Sequence, residues 1–136
     1  MPTISRFENI EAWKTARQLT NLIYDLSDQG TFSKDFGLRD QIRRAAVSVR
    51  SNIAEGFESH TQPLFINFLG RAKASSGEVR AQLYVALDRN YITNEQFESA
   101  RDVAEKTSRQ IHRFMAYLET QPNVRRVKED HVEYVF

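Results

Sequence analysis

The sequence predicts an all-α fold, an antiparallel up-down-up-down four-helix bundle. Three observations carry this. Four segments repeat apolar residues at three-four spacing, capping and breaking signals fall between those segments, and the 136-residue chain holds only five Gly and three Pro. With 27% of residues charged, long helices are the economical reading and an all-β fold has little support. The length is that of one domain, enough to bury roughly two thirds of the surface that the unfolded chain exposes.

The first segment runs from about Asn9, a candidate cap, through Ala12, Ala16, Leu19, Ile23 and Leu26 to the neighbourhood of Gly30, with Trp13 and Tyr24 flanking the stripe. A connector from Gly30 to Gly37 carries Phe32 and Phe36. The second places Leu38, Ile42, Ala45, Val49 and Ile53 on one face and ends at Gly56, since glycine just past the last periodic residue reads as a C-terminal signal. Thr61, Gln62 and Pro63 open the third, which continues through Phe65, Phe68, Leu69, Ala72, Ser76, Val79, Leu83 and Leu87 for about 26 residues, or roughly 40 Å. The fourth has the sharpest start: Thr93 and Gln96 fit a capping box, and Ile92 and Phe97 occupy the positions of a hydrophobic staple. Its seam, Phe97, Ala100, Ala104, Thr107, Ile111, Phe114 and Leu118, holds until Pro122. Residues 1–121 are thus the bundle and 122–136 a charged tail. Alternation at Val132, Tyr134 and Phe136 leaves two readings of that tail, disorder or loose docking, or an apolar edge for a neighbouring chain.

The third helix carries a second surface. Gly70, Ala74, Gly77 and Ala81 gather on one side, away from its apolar seam. Glycine costs about 1 kcal/mol inside a helix, so two of them seven residues apart call for a reason, and close approach of another helix is one. That helix belongs either to the same bundle or to another subunit.

Composition narrows the function classes. Lys+Arg of 19 against Asp+Glu of 18 gives a net charge of +1, so no global field draws nucleic acid and any binding patch is local. The absence of cysteine removes disulfides, thiolate metal sites and Cys nucleophiles, and fits a cytoplasmic protein. No apolar run approaches the ~20 residues that span a bilayer. Carboxylate-bridged metal bundles need Glu-x-x-His on two helices. That motif is missing, and His60, His112 and His131 have no partner at ligand spacing. No phosphate-binding glycine loop, nucleophile elbow or dinucleotide fingerprint occurs either. The expectation is a chain without metal or cofactor that is not an enzyme.

Two carboxylates stand out by position. Glu55 lies in the last turn of the second helix, where the dipole opposes negative charge, and Glu78 lies mid-helix beside Ser75, Ser76 and Gly77. They read as structural acceptors from Arg, Asn52 or backbone amides near the start of the third helix, ahead of acid/base catalysis. The basic residues of the second helix say more. Arg39, Arg43 and Arg50 fall within an arc of about 40°, roughly 100° round from the Leu38/Ile42/Val49 seam. From Arg39 to Arg50 four arginines meet one aspartate. The planar fork of arginine donates to phosphate in pairs. The competing reading is a solvated face of ordinary ion pairs, as Asp102/Lys106 and Glu105/Arg109 suggest for the fourth helix. Arg44, Lys73 and Arg80 are lesser candidates, and Arg44 alternatively holds Glu55 or Glu78.

Within this stretch, Gly37-Leu38, Gln41, Arg43-Arg44-Ala45, Ser48, Asn52-Ile53-Ala54-Glu55-Gly56, Phe68-Leu69, Ala72-Lys73, Ser75 and Glu78 form a recognisable set. It resembles the four-helix bundle family of 23S rRNA intervening-sequence proteins, and the resemblance extends over roughly residues 6 to 119. It implies an antiparallel bundle assembling as a homopentamer, with Asn52, Glu55, Gly56, Ser75 and Glu78 as family motif positions. Some members are encoded within inserts in bacterial large-subunit rRNA genes. A related branch, the accessory variability determinant of diversity-generating retroelements, implies a basic surface for nucleic acid and a reverse transcriptase. The chain departs from the family at Ser33, often proline, at Ala74, often glycine, and at Glu58, where a basic residue is frequent. The resulting expectation is a non-catalytic homo-oligomer that binds nucleic acid, structured RNA foremost, through arginine–phosphate contacts. The alternative is a scaffold docking a partner enzyme such as a reverse transcriptase without touching nucleic acid.

Overall fold

The computed structural model describes residues 3–122 together with 134 and 135. Its four helices among the described residues are α1 (Glu11–Ser27), α2 (Phe36–Phe57), α3 (Gln62–Asp88) and α4 (Asn94–Glu119), with single 3-10 turns at Phe7–Asn9 and Phe32–Lys34. Local chemistry fixes their starts. The Asp35 carboxylate accepts the Leu38 amide at 3.1 Å and opens α2. Thr61 Oγ1 accepts from the Leu64 amide at 3.2 Å, with proline in the first turn, and opens α3. At α4 both halves of the capping box form, Thr93 Oγ1 taking the Gln96 amide at 3.1 Å and Gln96 Oε1 the Thr93 amide at 2.9 Å.

Two boundaries differ from the sequence reading. Asn9 belongs to the 3-10 turn, and Ile10 stands at the N-cap of α1 without a side-chain cap bond. Gly56 lies inside α2, which runs on through Phe57. A Cβ there would stand 2.8 Å from Phe65 Cδ1 and 2.9 Å from Phe68 Cβ. The glycine is therefore required by the close approach of α3 rather than by a left-handed turn. Gly30, at φ +52°, does serve as a turn glycine after α1.

Bonds between helices show the antiparallel order, since partner numbers fall in one helix as they rise in its neighbour. Between α1 and α2, Thr20 donates to the Ala46 carbonyl at 3.2 Å and Arg43 to Ser27 Oγ at 2.7 Å. Between α2 and α3, Ser48 and Ser75 share a hydrogen bond at 2.9 Å while Gln82 donates to Gln41 at 3.4 Å. Between α3 and α4, Ser76 donates to the Ala104 carbonyl at 2.9 Å, and the buried Gln62 amide donates to the Leu118 carbonyl at 2.8 Å, satisfying the end of α4.

The core divides into two apolar clusters, one at each end of the bundle. One gathers Ile53, Phe65, Leu69, Ile111 and Leu118; the other gathers Leu19, Ile23, Ile42, Leu83 and Phe97. Between them lie two fully buried polar residues, Ser76 and Thr107, satisfied by the Ala104 and Val103 carbonyls. Edge-on stacking of Phe65 against Phe57 and Phe114 fills the first cluster. At the far end Tyr91 stacks on Phe32 and donates to Asp35 at 3.0 Å, which ties the α3–α4 connection to the start of α2.

The tail residues His131, Val132 and Phe136 lie outside the described residues. Tyr134 and Val135 form a two-residue antiparallel pairing with Ile4 and Thr3.

Candidate nucleic-acid interface

The three arginines that the helical wheel places together do share one side of α2, the side facing α1. None of them is freely solvated. Each guanidinium lies over an aromatic ring: Arg39 Cζ is 4.8 Å from the Phe36 centroid, Arg43 Cζ 4.6 Å from Tyr24, and Arg50 Cζ 5.7 Å from Trp13. From α1, Arg17 adds a fourth at 5.9 Å from the same Trp13 ring. The α1–α2 seam is thus a ladder of arginines laid on aromatic rings. Trp13 and Arg17 were within reach of sequence reasoning, since four residues apart on one helix they are neighbours. The pairing of α2 arginines with α1 rings was not, because it depends on how the two helices are rotated.

Hydrogen bonds fix two of these guanidiniums further. Arg43 Nε donates to Ser27 Oγ, with the Asp28 carboxylate at 3.9 Å. Arg39 donates to the Ser33 carbonyl at 3.1 Å and to Asp40 at 3.0 Å. Their side chains keep 21% and 27% of their exposure, so they are positioned at the surface rather than buried. Arg17 and Arg50 are different. Among the described residues neither guanidinium meets a carboxylate or a hydrogen-bond acceptor. Asp28 and Asp40 pair with two of the four guanidiniums.

Arg101 on α4 shows what a neutralised arginine looks like in this chain. Burial pulls its pKa down, but the carboxylates of Glu98, Glu105 and Asp102 outweigh that and hold it above its ordinary value. Asp102 therefore pairs with Arg101 rather than with Lys106 as its spacing suggested, whereas Glu105 does reach Arg109 at 3.9 Å.

The remaining candidates disperse. Arg44 is exposed on the outer side of α2 and makes no ion pair among the described residues, so it holds neither Glu55 nor Glu78. Lys73 is likewise exposed on α3. Arg80 turns toward α4, 3.8 Å from Glu105. The motif positions divide between packing and surface. Asn52 donates to the Ser48 carbonyl at 2.8 Å and to its hydroxyl at 2.9 Å, and Ser48 bonds Ser75, so Asn52 and Ser75 belong to the polar α2–α3 contact beside the close approach at Gly56. Glu78 accepts from Gln82 at 3.2 Å, and the exposed Glu55 carboxylate has no partner among the described residues. No group of three or more His, Asp or Glu that could hold a metal ion occurs among the described residues. No described helix is long and apolar enough to cross a membrane.

An arginine–aromatic seam on an antiparallel four-helix bundle defines a helical protein with one guanidinium-bearing side. The chain belongs to the 23S rRNA-intervening sequence protein family, which matches residues 8–113 and so includes all of α1, α2 and α3 and most of α4. Among solved structures it is similar to a protein of unknown function from the S23 ribosomal protein family of Bacteroides thetaiotaomicron. The TM-score is 0.70 at 23% identity, covering 76% of this chain and 97% of that one. That likeness concerns the fold. No curated protein matches the chain significantly.

Proposed function

We propose that this protein is a non-catalytic, cytoplasmic homo-oligomer, a ring of five, that binds structured RNA through arginine–phosphate contacts along the α1–α2 seam. The observation that carries the reading is the alignment of Arg17, Arg39, Arg43 and Arg50 on the rings of Trp13, Tyr24 and Phe36, two of them without an acidic partner among the described residues. Stacking restricts a guanidinium's motion while leaving its in-plane N–H donors free, which lowers the entropy lost when phosphate binds. The family's description, which ties its members to 23S rRNA inserts, supports the same class of ligand. Repetition around a ring multiplies weak sites into avidity.

Fluorescence anisotropy of a labelled structured RNA across a salt series tests the reading, with an Arg39/Arg43/Arg50→Ala variant alongside and circular dichroism to check its fold. Affinity should fall as salt rises, and the logarithmic slope of the variant should be shallower by about 0.7–0.9 for each phosphate that it no longer neutralises. Absence of binding at low salt removes the reading.

A second reading, a scaffold that docks a partner enzyme such as a reverse transcriptase without touching nucleic acid, has its own observation. On α3 the small residues Ala74, Gly77 and Ala81 face outward beside exposed Tyr84 and Val85, and no atom lies within 4 Å of a Cβ built on Gly77. A partner captured equally well by the arginine variant favours this reading.

A further inference from the structure

The seam holds rings as well as charges, and phosphate binding alone has no use for their exposure. Phe36 keeps 64% of its surface in water and Tyr24 keeps 42%, the first being the most exposed large apolar residue described. A guanidinium lies over one face of each ring, so the surface left open is the rest of the ring and the exposed part of the cation stacked on it. Such stacked pairs suit a nucleobase, which stacks on an aromatic ring or on an arginine plane and is sequence-tolerant because every base has a π-face. In a duplex those faces are already covered by neighbouring bases, and only phosphates would reach the seam.

The dimensions fit a short strand. Trp13 to Tyr24 along α1 and Arg39 to Arg50 along α2 are each eleven residues, a rise of about 16 Å. A stacked strand advances about 3.4 Å per phosphate, so roughly five nucleotides match the ladder. Rings on α1 and at the start of α2, interleaved with arginines from both helices, would alternate base and phosphate contacts along that length.

We propose that the α1–α2 seam takes an unpaired RNA strand, with bases stacked on Phe36 and Tyr24 and phosphates held by Arg17, Arg39, Arg43 and Arg50. The proposal rests on the nucleic-acid reading above and narrows it to the single-stranded segments of a structured RNA. The test uses the full chain with a ten-nucleotide unstructured RNA and with the same RNA annealed to its complement. Anisotropy gives the affinities, and fluorescence of the chain's single tryptophan reports on Trp13. Phe36→Leu and Tyr24→Leu keep charge and apolar bulk, remove the π-face, and alter positions exposed enough to leave the fold intact.

The single strand should bind about tenfold or more tighter than the duplex, with a change in Trp13 emission. Each leucine variant should lose about fivefold or more for the single strand and change little for the duplex. Equal or tighter duplex binding overturns the proposal while leaving the nucleic-acid reading in place. So does a leucine variant that weakens strand and duplex alike, which would mean that the rings only prop the arginines. Binding by neither RNA removes both.

Discussion

Gly56 shows how much one missing methyl can decide. Helix propensity alone favours Ala over Gly by about 1 kcal/mol. The space does not allow it, because Phe68 Cβ, fixed to the backbone of α3, lies 2.9 Å from where the new methyl would sit. Overpacking of this kind costs about 1–3 kcal/mol. Gly56→Ala should therefore destabilise the fold by a net amount of about 1 kcal/mol, read as a lower urea midpoint at unchanged m-value. A raised midpoint would mean that α3 can retreat at no cost. Gln62 has comparable leverage for a different reason: its buried amide donates to the Leu118, Gln121 and Pro122 carbonyls and so ties the start of α3 to the end of α4.

Among the elements, α3 is the one with two working faces. One packs α2 and α4 through Phe65, Leu69, Ser76 and Leu83; the other points outward with Ala74, Gly77 and Ala81. Of the stripe's two glycines Gly70 is the one near its own bundle among the described residues, a Cβ there meeting Met115 at 3.8 Å. That outward face is the natural contact between subunits of the proposed ring. Because a Cβ at Gly77 has no described neighbour within 4 Å outside its own helix turn, Gly77→Leu should leave the helical circular dichroism and the fold unchanged while reducing the oligomer to smaller species in light scattering. An intact oligomer in that variant would place the subunit contact on another face.

At the scale of the whole molecule, charge is segregated although the net charge is only +1. Arg101 on α4 sits among Glu98, Asp102 and Glu105, whereas Arg17 and Arg50 in the α1–α2 seam have no carboxylate partner among the described residues. Placing the seams of several subunits in one ring would turn a modest local field into a steering surface, sensitive to ionic strength. Light scattering of the wild-type protein should give five times the 15.8 kDa chain mass. A monomer at micromolar concentration would rule out the ring and leave each seam acting alone.

What the sequence determined by itself is local along the chain. The capping box at Thr93 and Gln96, the start at Thr61 to Pro63 and the apolar stripes all arise from groups three or four residues apart, whose geometry the α-helix fixes in advance. For the same reason the wheel could group Arg39, Arg43 and Arg50 on one side of a single helix. It could not tell that Arg43 would lie on Tyr24 and bond Ser27, or that Arg50 would share Trp13 with Arg17. Nor could it distinguish a glycine that ends a helix from one that admits a neighbour, as at Gly56. Those facts depend on the rotation of each helix about its axis and on the distance between axes, which follow from packing all four helices at once.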